Sequence, residues 1–242
     1  MHDVNFKKHE VIAMKLSDFN PEGNLGRSTA ERVCEIIRQA IIARVFEQGE
    51  RLVEAKIAQD LNVSITPIRH AFATLANQGL LSIFPYKGTY VTIITEEFMN
   101  DLEFIRQEIE GLAAKRAFDN IKSEDATTLL NMCKLSDYYF QSGNLYQAIH
   151  HDCIFHEFFI SKANSPLLME MWTLIRSRIE YVQAYTKGQF QPDDYLQVRH
   201  GAMIKAVEEQ NKEAFLRALE SHLASTTTII SFPKTADALY NK

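Results

Sequence analysis

Paired cysteines are missing from this chain. It has three, Cys34, Cys133 and Cys153, at unrelated spacings. An odd, unpatterned set excludes a disulfide framework and predicts reduced, buried thiols in a cytoplasmic protein. No run of about 18 apolar residues occurs, which predicts no transmembrane helix and no membrane partner. The first ten residues lack an apolar core followed by a cleavage site, which predicts no secretory leader. Internal repeats and low-complexity tracts are absent. So is the strong positive charge that usually marks nucleic-acid binding, since the net charge is −5. That deficit is uneven. Residues 27–95 carry +2, residues 1–26 carry −1, and the remainder carries −6. A mildly basic segment joined to an acidic one suits a DNA-binding module attached to a separate domain.

What is present fits two globular domains: 242 residues, 46% of them apolar and 24% charged. Residues 1–26 show no sustained period and read as a partly ordered arm. Ser28, with Glu31 three residues on, offers a capping box. Val33, Ile36, Ile37, Ala40 and Ile41 then recur at helical spacing. A short helix is expected at about 53–61. Ser64 or Thr66 caps the next one, with Pro67 in its first turn, Ile68, Ala71, Phe72 and Leu75 on its apolar face, and Gly79 at its end. The period then changes to two β-rich runs, 81–84 and 89–93, separated by the turn sequence Pro85-Tyr86-Lys87-Gly88. Three helices followed by a hairpin is the layout of a winged helix.

Beyond Thr95 every long segment reads as helix, over about 96–119, 123–141, 145–162, 165–187, 193–209 and 211–230. Short breaks between them, among them 188–192, imply an antiparallel bundle. The expected class is therefore mainly α. An arm (1–26) leads into a winged helix-turn-helix (27–95), an all-helical domain (96–232) and a tail (233–242).

In a helix-turn-helix the second helix lies in the major groove and exposes polar groups near its start. Here Ser64, Thr66, Arg69, His70 and Thr74 lie off the apolar face. Arg69 is the strongest candidate, because its fork matches guanine O6/N7 or phosphate oxygens. Lys56 and Lys87 are placed to hold phosphates. A solvated face on a small helical domain is the alternative reading.

The segments Leu52-Val53-Glu54, Ile57-Ala58, Asn62 to Phe72, Leu75 to Leu81 and Lys87-Gly88-Thr89-Tyr90-Val91 together resemble the GntR family of bacterial regulators. The resemblance spans about 40 residues and implies a DNA-contacting wing at Lys87 and Gly88, with Arg69 matching a family arginine. Two positions depart from the pattern. Ile65 stands where the family usually has a DNA-touching arginine, and His70 where it has glutamate. No DNA role is carried to Ile65, and His70 is a candidate through its exposure alone.

A second constellation lies in the helical half. Asp152 and His156, four apart, share one helix face. His200 and His222 sit at equal offsets from Asn211, the centre of the connection between the last two helices. Equal offsets in an antiparallel hairpin bring two residues to the same height. Three imidazoles and a carboxylate then converge, a set suited to Zn, Ni, Mn or Fe with positions left open for water or an effector carboxylate. A chance pair on one helix with two unrelated histidines is the alternative. His150 and His151 are left out, His151 because it faces about 100° away from Asp152.

Asp152 to His156, Ala163-Asn164-Ser165-Pro166-Leu167, His200 to Val207 and His222-Leu223 are similar in order and spacing to the FCD effector domain of the FadR-type subfamily. The resemblance covers about residues 98–230. It implies a divalent metal on Asp152, His156, His200 and His222, and an effector site that includes Asn164. The segment Ile105 to Ala114 also matches, which implies that Arg106 lies in the effector pocket, where a guanidinium can grip a carboxylate. A helix-surface ion pair with Glu103 or Glu110 is the other reading of Arg106. Arg199 departs from the glutamate common before the histidine.

These readings predict a homodimeric repressor on a pseudo-palindromic operator in double-stranded DNA, controlled by a small organic-acid effector at the metal. A metal-dependent hydrolase or other metalloenzyme is the alternative, although no general base is positioned by motif. A third reading makes the metal structural and DNA binding constitutive.

Overall fold

The computed structural model describes Leu16, Phe19, residues 26–186 and 196–224, and Pro233. Most of the expected arm, the break at 188–192 and nearly all of the tail lie outside those residues. The described chain divides after Thr95 into two compact units.

In the first unit, α1 (Thr29–Ile42) starts at the expected capping box. The Ser28 hydroxyl accepts from the Glu31 N–H at 3.2 Å, and the Glu31 carboxylate accepts from the Ser28 N–H at 2.7 Å. Val33, Ile37, Ala40 and Ile41 are buried, and α1 packs on α3 (Ile65–Asn77) through Ile68, Ala71, Phe72 and Leu75. Between them lies α2 (Glu54–Asp60). Asn62 takes a left-handed φ of 52°, a conformation asparagine tolerates, and so turns α2 into α3. A hairpin of β2 (Leu81–Phe84) and β3 (Gly88–Val91) follows, with Leu81 opposite Val91 and Phe84 opposite Gly88. The sequence reading missed a third strand, β1 (Arg51–Leu52), which pairs antiparallel with β3 and completes a sheet of order β1-β3-β2. Two residues are too few to show a period, so tertiary pairing alone reveals it.

The second unit is helical throughout its described length. It contains α4 (Glu96–Ala117), α5 (Asp125–Gln141), α6 (Leu145–Lys162), α7 (Pro166–Thr186), α8 (Leu196–Glu208) and α9 (Lys212–Ala224), with a 3-10 turn at Phe118–Asn120. Helix α6 packs against α4, α5 and α7, and α8 packs against α5 and α9. The core is formed by Ile109, Ala113, Phe155, Phe159, Trp172, Met203 and Phe215, all 8% exposed or less. At the start of α6, Asn144 accepts from the Gln147 N–H at 3.1 Å, which satisfies one of the helix's unpaired donors. No described helix is long and apolar enough to cross a membrane.

Candidate metal centre and DNA-contact surface

Helix α6 carries Asp152 and His156 on its buried face, α8 carries His200 and α9 carries His222. The short α8–α9 turn brings the last two to one height. Their Nε2 atoms lie 3.2 Å apart. Asp152 Oδ1 is 3.6 Å from His200 Nε2. All three imidazoles offer a nitrogen within 4.8 Å of the others. The four side chains are buried, His156 and His200 completely.

What surrounds them fixes their chemistry. Nδ1 of His156 faces Glu110 Oε2 at 2.6 Å. An ionised carboxylate only accepts, so a proton sits on Nδ1, and Nε2 is the nitrogen left to face the cluster. That Nε2 is buried and has no hydrogen-bond partner. Gln183 donates to Asp152 Oδ2 at 2.7 Å, and Cys133 Sγ lies 3.6 Å from Nδ1 of His200. Phe155 stacks on the His200 ring at 4.1 Å. Burial, followed by the neighbouring His200 and His156, pushes the His222 pKa well below the usual imidazole range, so the ring stays neutral. Three imidazoles, one carboxylate and an orphaned ring nitrogen make a donor set that a borderline divalent cation fits.

Arg106 shows features of both its readings. Its Nε donates to Glu110 Oε1 at 2.6 Å, one turn along α4. The pair is not on the helix surface, however. Arg106 is 6% exposed and Glu110 3%. Burial opposes the Glu110 charge, but Arg106 and His156 outweigh it and lower the carboxyl pKa to about 2. Burial likewise opposes the Arg106 charge, and Glu110 and Asp152 outweigh it to raise its pKa. Arg106 also lines a cavity with Met99, Leu102, Asp152, Gln183 and His222, and Arg199 stands on the same wall. The cavity offers about 30 Å³ of water-accessible space, against roughly 10–15 Å³ for one water. Nη2 of Arg106 and Oε1 of Gln183 are buried without hydrogen-bond partners.

Asn164 is not brought together with Arg106. It is exposed and does not line this cavity. It follows the C-terminus of α6 with a left-handed φ of 49°, and this helix-ending conformation accounts for asparagine there. His150 and His151 also stand outside the cluster, His150 against Arg176 and Glu180, His151 stacked on Tyr139.

Sequence reasoning missed Glu110 as a partner of His156. A signal existed: Arg106 and Glu110 sit in the stripe of Leu102, Ile109, Ala113 and Ala117, so a charged pair occupies an apolar face. Gln183 and Cys133 carried no such signal.

In the first unit, Lys56, Ser64, Thr66, Arg69, His70 and Lys87 are all exposed, and Gly88 is half-buried at the wing. Ser64 is the N-cap of α3, yet its side chain makes no capping bond, so the helix N-terminus keeps N–H groups suited to a phosphate. Arg69 donates to Glu54 at 2.8 Å in an exposed pair. Such pairs are weak enough for phosphate to replace the partner. Ile65 is 40% exposed at the start of α3. Gly88 has a φ of 118°, and a Cβ there would sit 2.9 Å from Arg51 Nε. Arg51 therefore lies across the wing, a cation the sequence reading did not select.

The sequence profile described as "Bacterial regulatory proteins, gntR family" matches residues 29–91, and that of the FCD domain matches 101–225. The HTH-type transcriptional repressor RspR of Escherichia coli K12 is 26% identical over 193 residues, covering 80% of this chain and 85% of that protein. The gluconate operon transcriptional repressor of Bacillus licheniformis is 26% identical over 212 residues, covering 84% and 85%. Among solved structures, E. coli McbR/YncC superposes with a TM-score of 0.69 at 21% identity, over 82% of this chain and 95% of that one. A putative GntR regulator from Rhodococcus sp. RHA1 gives 0.70 at 23% identity, over 83% and 96%.

Proposed function

Because this chain belongs to the GntR family of DNA-binding transcriptional regulators and carries an FCD domain, we propose that it is a repressor whose operator affinity is set by a small carboxylate effector bound at a divalent metal. The metalloenzyme alternative is set aside, since the relatives and both family profiles are transcriptional regulators. The observation that carries the proposal is the buried convergence of His156, His200 and His222 beside Asp152, with the Nε2 of His156 lacking a hydrogen-bond partner.

Asp152, His156, His200 and His222 would hold the cation. When bound, it supplies a Lewis-acidic docking point for an oxygen of the effector. Arg106 grips the effector's carboxylate, with Nη2 as a donor that has no protein acceptor. The small cavity supports a compact acid rather than a fatty chain. On the DNA side, Ser64, Thr66, Arg69 and His70 read the major groove from the start of α3, while Lys56, Lys87 and Gly88 meet the backbone. One winged helix makes few contacts, so a homodimer on a pseudo-palindromic operator is the assembly that reaches useful affinity.

Mass spectrometric elemental analysis of the purified protein tests the metal. About one equivalent of Zn, Ni, Mn or Fe is expected, lost on His156→Ala. A gel shift on the gene's own upstream region, with and without small carboxylic acids, tests the rest. Retardation that no acid changes would leave a constitutive DNA binder with a structural site.

A further inference from the structure

Glu110 uses both carboxylate oxygens, and they face different parts of the site. Oε1 accepts from Arg106 Nε at 2.6 Å, and Oε2 accepts from His156 Nδ1 at 2.6 Å. Arg106 lines the cavity, and His156 turns Nε2 toward the other two imidazoles. All three residues of this chain of contacts are at most 6% exposed, so water does not screen one link from the next. We infer that Glu110 is a positioning residue that ties the cavity arginine to the metal-facing nitrogen of His156, so that events at Arg106 are felt at the cation.

The physical reason is that one carboxylate serves two donors. Its hydrogen bond to Nδ1–H fixes the tautomer and ring orientation of His156 and makes Nε2 a better ligand, as outer partners of metal-bound histidines do. Its other oxygen balances the guanidinium. An anion seated on Arg106 draws that guanidinium away from Glu110, and the carboxylate charge then acts more fully on His156. By linkage the cation and the anion tighten each other's binding. The inference rests on the metal reading above.

The test is Ni²⁺ titration of the full-length, chelator-stripped protein against a chromophoric chelator. It compares wild type, Glu110→Gln, Arg106→Met and the double variant, each checked for helical circular dichroism. Glu110→Gln is expected to weaken Ni²⁺ binding about 10–100-fold. Arg106→Met is expected to change affinity by at least about threefold in wild type but by less than about twofold in the Glu110→Gln background, the signature of coupled sites. Binding by Glu110→Gln within about twofold of wild type, or independent effects that simply multiply, overturns the coupling and leaves the metal reading standing. A wild type that binds no Ni²⁺ overturns both. Should the variants not fold, ¹⁵N imidazole spectra of the metal-free wild type decide the matter. An Nδ1–H tautomer at His156 supports the role, and an Nε2–H tautomer refutes it.

Discussion

Acidifying the chelator-stripped protein from pH 7.5 to 5.5 should cost the helical unit up to about 1.4 kcal/mol through His222 alone. Burial among His200, His156 and Arg106 holds the folded pKa of this ring well below 6.5, and the side chain is only 8% exposed. The unfolded chain therefore takes up a proton as the pH drops past about 6.5, and the folded chain does so only at a much lower pH. Stability rises with pH wherever the unfolded state binds more protons, so it is full above that value and is lost below it. The loss integrates to at most about 1.4 kcal/mol by pH 5.5, at 1.36 kcal/mol per unit of pKa difference. Trp172 is the only tryptophan and is fully buried in α7, so its fluorescence follows this unit without interference from the other. With a urea slope of about 2 kcal/mol per M, the midpoint should fall by roughly 0.7 M. His222→Gln should remove about that much of the pH dependence, which separates this ring from every other titrating group. Equal pH dependence in wild type and variant would refute the assignment of a neutral, buried His222.

Three further outcomes follow from the first unit. Arg69→Ala should change stability by less than about 0.5 kcal/mol, because its pair with Glu54 is exposed, yet weaken operator binding by about 1–3 kcal/mol in a fluorescence anisotropy titration. Ser28→Ala should cost about 1 kcal/mol in a thermal melt, since both bonds of a capping box are lost, whereas Ser64→Ala, whose hydroxyl caps nothing, should cost only a few tenths. Gly88→Ala should destabilise by about 1–3 kcal/mol, because a φ of 118° strains any L-residue and the new Cβ meets Arg51; a variant as stable as wild type would mean the wing turn is not built this way.

How far the sequence could reach depended on how local each feature is. Asp152 and His156 were readable because a period of 3.6 residues places them on one face. The pairing of His200 with His222 was readable because a short turn forces equal heights, and their Nε2 atoms indeed meet at 3.2 Å. The strand at Arg51–Leu52 was not, since its existence depends on Tyr90 and Thr89 across the sheet. Glu110 was visible only as a neighbour of Arg106, one turn away. Its bond to His156 spans 46 residues and exists only once α4 packs on α6. Asn164 shows the opposite limit: its left-handed φ of 49° gives a backbone reason for asparagine there, and a motif position alone does not place a side chain against the cavity.

The buried polar cluster also carries an energetic argument. Arg106, Glu110, His156, His200 and Asp152 occupy positions that apolar side chains of similar size would fill with no loss of stability, since desolvating such groups commonly outweighs their mutual attraction. A buried ring nitrogen without a partner costs a further 1–3 kcal/mol or so, and His156 Nε2 is one. Ordinary core packing gives no reason to keep such an arrangement at the centre of a bundle otherwise built from Phe155, Phe159, Trp172 and Phe215. A cation that satisfies the lone pair does. On that reasoning, metal should stabilise the helical unit by about 2.7 kcal/mol at a hundredfold excess over its dissociation constant. Trp172 fluorescence in urea, with and without the metal, reads the effect. Equal stabilisation of wild type and His156→Ala would point to ligands other than these imidazoles.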